Sequence, residues 1–78
     1  MNEKIKRIMA KSFEVPIETI NDNSTKDDIE SWDSLHHIMM VVELEKAFAI
    51  NIPDERVGNM ISFNLIKSIV YECFETHI

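Results

Sequence analysis

The residues best placed to do chemistry form a run of three, Asp33, Ser34 and Leu35. Ser34 stands at the start of an apolar-periodic stretch, so its hydroxyl falls in the first turn of a helix. Several backbone amides there lack partners and the helix dipole favours an anion. A phosphodiester formed on that hydroxyl would have part of its charge offset by the helix start. Asp33 is a good N-cap, because its carboxylate can accept an unpaired first-turn amide. It also adds negative charge beside Ser34, and in a modifying enzyme it could help to position a metal-bound phosphate donor. Taken alone, Asp-Ser-Leu reads as a helix cap and nothing more.

Other groupings carry less. Asp22, Ser24, Asp28 and Glu30 sit at spacings that invite comparison with a calcium loop, with Ile29 at the apolar position. Lys26 occupies a ligand position, however, Asp27 stands where the sharp turn wants glycine, and Asp33 is too short for the closing bidentate glutamate. His36 and His37 diverge as neighbours on a helix, leaving only His77 to complete a metal site. Cys73, the only cysteine, excludes an internal disulfide and sits among Ile69, Val70 and Phe74, the setting of a buried structural thiol. No glycine-rich phosphate loop and no convincing nucleophile and base pair are present, so the chain is not expected to be an enzyme.

The elements that must position Ser34 follow from spacing. Ile5, Ile8, Met9 and Phe13 recur at helical intervals from Glu3 to Phe13, and Pro16 closes that region. Residues 17 to 32 make a long loop, rich in polar residues and anchored by Ile17, Ile20 and Ile29, and loops of this length usually have a task. A second helix runs from Ser34 to Ala49, with Leu35, Ile38, Val42 and Ala49 on one face, widened by Val41, Leu44 and Phe48. Pro53, Asp54 and Glu55 mark a short third helix ended by Gly58 and Asn59. Ser62 caps a last helix whose Ile66, Ile69, Val70 and Cys73 share a face. One Gly and two Pro in 78 residues leave little turn chemistry for hairpins, so the expected class is all-α, in a single domain spanning 1–78.

The run Asp28-Ile29-Glu30-Ser31-Trp32-Asp33-Ser34-Leu35, with Glu43-Leu44-Glu45-Lys46-Ala47-Phe48 and Ile52-Pro53-Asp54-Glu55 after it, resembles the acyl carrier protein family in its discrete form, over nearly the whole chain. In that family an aspartate-serine-leucine motif opens the second helix, the helix ends in an acidic stretch and phenylalanine, and an isoleucine-proline-aspartate-glutamate turn follows. The resemblance implies an antiparallel four-helix bundle with a short third helix. It makes Ser34, within Asp33 and Leu35, the attachment point of 4'-phosphopantetheine, delivered from coenzyme A by a separate phosphopantetheinyl transferase. Cargo would ride as a thioester loaded by an acyl-activating ligase, acyltransferase or synthase. Helix two would be the recognition surface, through His36, Met39, Met40 and Glu43. One methionine of the pair should face the core, and the family's register makes Met39 the outward one.

Departures from the family refine the expectation. Fatty-acid carriers usually place an acid after the leucine and repeat acids along helix two, where this chain has His36, His37, Met39 and Met40. Trp32 before Asp33 is similar to carriers of specialised pathways such as polyketide, peptide or surface-polysaccharide modification systems, among which the residues do not choose. Trp32 itself is expected to pack on the bundle as a loop anchor. The alternative to a carrier is an unmodified helical interaction module using Met39 and Met40 as an adaptable patch.

Composition bounds the partners. The net charge of −6 argues against nucleic acid, which requires a basic stripe. Lys4, Lys6, Arg7 and Lys11 lie early, whereas Asp27 to Glu55 holds eight acids against the single base Lys46, pointing to basic partners for the middle of the chain. Hydrophobic residues at 45% and charged residues at 28% suit a folded soluble protein and exclude a disordered tail. The charged start lacks the apolar stretch of a signal peptide or membrane span. A monomer in the reducing cytoplasm is expected.

Overall fold

The structure is a computed structural model and describes residues 2–76. Four α-helices occur among them: α1 (Asn2–Phe13), α2 (Ser34–Phe48), α3 (Asp54–Val57) and α4 (Phe63–Thr76). The α1–α2 connection holds two 3₁₀ turns, Ile17–Thr19 and Lys26–Asp28, which the sequence pattern did not announce. The fold is all-α, with a single isolated bridge between Thr25 and Ser62 in place of a sheet among the described residues. His77 lies outside those residues.

Helix α1 forms because Ile5, Met9 and Phe13 line one face, all fully buried, and their lysine and arginine neighbours take the other. It packs against α2 and α4. Met40, Val41, Leu44 and Phe48 of α2 meet Phe63, Ile66, Ile69 and Val70 of α4 in the same core, which Ile20, Ile29 and Trp32 from the connection also enter. Each such side chain contributes roughly 1.5–3 kcal/mol when fully buried. Of the expected loop anchors, Ile20 and Ile29 are buried and Ile17 packs partly against the core.

The helix ends are specified locally. Glu14 takes a left-handed conformation (φ 56°), which lets the amides of Val15 and Glu14 reach back to the carbonyls of Ala10 and Lys11 at 3.0 and 3.3 Å. Ala49 does the same at the end of α2 (φ 55°), and the Ile50 amide bonds the Glu45 carbonyl at 3.1 Å. Neither position is glycine, so both carry a steric cost of about 1–2 kcal/mol. Ser62 caps α4 through its hydroxyl, which accepts the Leu65 amide at 3.1 Å. Pro53 lies one residue ahead of α3 as its N-cap, and Gly58 closes that helix.

The face assigned to helix two requires correction. Leu35, Ile38 and Val42 are 67, 53 and 40% exposed, and Ala49 is exposed too. The buried stripe is instead Met40, Val41, Leu44 and Phe48. Apolar residues surround the first three turns of α2, so periodicity alone cannot select the inward face. Packing against α1 makes the choice.

Candidate functional site

Ser34 begins α2 and is exposed. Among the described residues none engages its hydroxyl in a hydrogen bond. Asp33 caps the helix as expected, its Oδ1 accepting the His36 amide at 2.9 Å. Two structured flanks rise on either side of this helix start.

On the α1 side, the His36 ring spans two carboxylates. Its Nδ1 lies 2.7 Å from Asp33 Oδ1 and its Nε2 3.2 Å from Glu14 Oε2. Carboxylates only accept, so both ring nitrogens do best with a proton, and the imidazolium is favoured. The bond to Asp33, then that to Glu14, raises the His36 pKa above the ordinary histidine value. The His36 amide, then its ring, holds the Asp33 carboxyl below the usual carboxylate range. The negative charge that Asp33 places beside Ser34 is thus offset by His36 whenever its ring is protonated. The left-handed turn at Glu14 is what points the end of α1 toward this ring.

On the α3 side, Trp32 is buried and stacks on Phe13, ring centroids 4.6 Å apart. Its indole N–H donates to His37 Nδ1 at 2.9 Å, while His37 Nε2 lies 2.8 Å from the Val57 carbonyl oxygen. Indole is a donor only, so Nδ1 must be bare and Nε2 must carry the proton that reaches Val57. His37 therefore stands as the neutral Nε2–H tautomer, joining the connection, α2 and α3. Trp32 is the loop anchor expected of it.

Beneath Ser34 the connection is fastened to the segment before α4. The Lys26 amide donates to the Ile61 carbonyl at 2.8 Å and the Phe63 amide to the Ser24 carbonyl at 2.9 Å. Asp28 Oδ2 accepts the Thr25 amide at 2.9 Å, making a capping box for the second 3₁₀ turn. Asp22 is drawn away to Lys6 at 2.9 Å, and that contact lowers its pKa. These bonds bring Lys26 and Ile61 to a groove of about 210 Å³ that Ser34 also lines.

The expected recognition residues separate. Leu35 and Met39 are exposed, Glu43 and His36 are partly buried, and Met40 is fully buried. Met40 is therefore removed from the recognition set, because it lies on the stripe that packs against α1. Leu35, Ile38, Met39 and Val42 instead form one outward apolar stripe running away from Ser34, unbroken by charge. Glu43 lines a groove of about 270 Å³ beside that stripe, together with Lys11, Ser12, Ile38, Met39 and Val42. Sequence reasoning missed Glu14, Lys26 and the bridging role of His37, since each acts across a loop and belongs to no motif. Cys73 is partly buried against the core, and burial raises its pKa above the usual thiol value. No helix among the described residues is long and apolar enough to cross a membrane.

No protein-family model matches the chain. Two curated proteins are similar to it across most of its length. The Acyl carrier protein of Onion yellows phytoplasma (strain OY-M) is 37% identical over 70 residues, covering 88% of this chain and 87% of that protein. The Acyl carrier protein of Aster yellows witches'-broom phytoplasma (strain AYWB) matches with the same identity and the same coverage.

Proposed function

The chain belongs to the acyl carrier protein family, and from that premise we propose that Ser34 carries 4'-phosphopantetheine and presents a thioester-bound acyl or aminoacyl group to partner enzymes. The observation that supports this most directly is the Ser34 hydroxyl itself, exposed and unengaged at the first turn of α2 with its neighbouring carboxylate bonded by the His36 amide and ring. The residues present fit the group: a phosphodiester gains from the helix dipole, and an open groove adjoins the attachment atom. When attached, the arm supplies the thiol that bears the cargo. Asp33 and Leu35 frame the site for the phosphopantetheinyl transferase. Residues 1–78 act as one carrier domain, a cytoplasmic monomer that performs no catalysis itself.

The apolar stripe on α2 supports a specialised pathway over fatty-acid synthesis. Fatty-acid partners of the family expect acids there, whereas Met39 and its apolar neighbours offer an adaptable contact. His36 and Glu43 border that contact, and an acyl-activating ligase, acyltransferase or synthase reads it.

Incubating the apo protein with coenzyme A and a broad-specificity phosphopantetheinyl transferase should add one phosphopantetheine mass, on the peptide containing Ser34. Ser34→Ala should fold normally and take up none. An unchanged parental mass with several active transferases would leave the unmodified interaction module as the better reading. For the pathway, Met39→Glu should still accept the arm but lose loading by the protein's own ligase or synthase. Parental loading rates in that variant would refute the role given to Met39.

A further inference from the structure

We propose that the groove between α2, the Lys26 turn and the Gly58–Ile61 segment seats the arm borne by Ser34, with Lys26 as the counter-ion of its phosphodiester. The inference rests on the carrier reading of Ser34 and deepens it by naming the residues that hold the arm against the protein.

The groove measures about 210 Å³ and is lined by Lys26, Ser34, His37, Ile38, Gly58 and Ile61. Its walls are fixed by bonds already described. The Lys26 amide and the Ile61 carbonyl are 2.8 Å apart beside the Thr25–Ser62 bridge, so these two side chains emerge together. His37 ties the α2 wall to Val57, next to Gly58, at 2.8 Å. An unanchored loop lysine would sweep a large volume, but this one starts from a pinned backbone.

Charge selects the occupant. Lys26 is the one lysine or arginine between residues 12 and 45, a stretch holding Glu14, Glu18, Asp22, Asp27, Asp28, Glu30, Asp33 and Glu43. Among the described residues its ammonium makes no ion pair. Asp22 is taken by Lys6, Asp28 by the Thr25 cap and Asp33 by His36. An unpaired cation in the groove that starts at the attachment serine complements the one negative charge the arm carries. Ile38 and Ile61, 53% and 46% exposed, complement the methyl-bearing carbons that follow the phosphate. The groove falls short of the roughly 300–1,000 Å³ of sites that engulf a ligand. It holds the proximal arm and leaves the thiol end free for enzymes.

Two kinds of substitution test the seat without disturbing the fold. Lys26 is exposed and its side chain supports nothing else. Gly58 has right-handed backbone angles (φ −68°, ψ −14°), and a Cβ added there meets no atom within 4 Å, so Gly58→Leu adds bulk at a residue lining the groove without a clash at its Cβ. The parent, Lys26→Arg, Lys26→Gln and Gly58→Leu are each converted to the holo form with coenzyme A and a transferase, checked by mass. Backbone amide shifts are then compared between apo and holo forms. In the parent and Lys26→Arg, the shifts should extend beyond the neighbours of Ser34 to the amides of Lys26, Gly58 and Ile61, and should shrink as salt rises. In Lys26→Gln and Gly58→Leu those remote shifts should fall, with the seated population reduced roughly two- to fivefold, the range of an exposed ion pair. Holo protein whose shifts stay confined to the neighbours of Ser34, or are unaltered by Lys26→Gln, overturns the seat and leaves the carrier reading intact. Failure of the transferase to add mass overturns both.

Discussion

The two flanks of Ser34 hold adjacent histidines in opposite hydrogen-bonding settings, one ring between two acceptors and the other between a donor and an acceptor. On the α1 flank both nitrogens of His36 face carboxylates, 2.7 and 3.2 Å away, which favours the imidazolium and raises its pKa. On the α3 flank His37 faces one donor and one acceptor, at 2.9 and 2.8 Å, an arrangement that suits a single tautomer. Neighbouring residues on a helix diverge by about a hundred degrees, so one step in sequence delivers the rings to different junctions. The ionic flank is exposed at Glu14 and Asp33, and water and salt screen it. The α3 flank is built on a buried indole stacked on Phe13. Stability should therefore reside mainly on the α3 side, and pH sensitivity on the α1 side.

Trp32→Ala tests the first half most severely. Removing a buried aromatic ring costs about 3–5 kcal/mol, a large part of the whole stability of a small domain. The denaturant midpoint should collapse, and the connection should lose its hold on α1. Trp32→Phe sharpens the comparison, because it keeps a ring on Phe13 while deleting the N–H that His37 accepts. Its cost should be about 1–3 kcal/mol, the range for a partly buried acceptor left without its donor. The nitrogen shifts of the His37 ring should also show that the tautomer is no longer fixed. If Trp32→Phe is as damaging as Trp32→Ala, the hydrogen bond and not the stack dominates this flank. A parental midpoint would instead show that the His37 link carries no stability.

How much of this was legible in the sequence depends on the range of each interaction. The helices, the Asp33 cap, the Ser62 cap and the buried face of α4 follow from local spacing and appear where spacing placed them. Trp32 was legible as an anchor because a large ring before a helix cap has few places to go but the core. The inward face of α2 was not legible. Leu35, Ile38 and Val42 present as good an apolar stripe as Met40, Val41 and Leu44, and only the docking of α1 separates them. Glu14 reached the site through a left-handed turn that glutamate rarely adopts, so no propensity could announce it. Lys26 and Ile61 lie 35 positions apart and meet through backbone bonds that carry no side-chain signature.

The smallest effect expected is also the most diagnostic of the ionic flank. The folded His36 pKa is raised above the ordinary value near 6.5 by its bonds to Asp33 and Glu14. Folding is then favoured by the imidazolium at pH below that ordinary value, and the contribution is lost as pH rises through the raised folded value. Asp33 works in the opposite sense: its folded pKa is lowered, so its contribution is present above about 4 and is lost as pH falls through the depressed value. The α1 flank should hold best between about pH 4.5 and 6.5, where both charges exist. The thermal midpoint of the parent should decline modestly from about pH 6 to 8, with a smaller decline at high salt. His36→Gln, which can still bond Asp33 but gains no charge, should flatten that decline, and Glu14→Gln should reduce it in part because Asp33 is the larger cause. A histidine titration followed by proton resonance should place His36 above the ordinary value. Parallel profiles for the parent and His36→Gln would mean that the cation at the α1 junction makes no net contribution, and that the two flanks of Ser34 do not differ as their geometry implies.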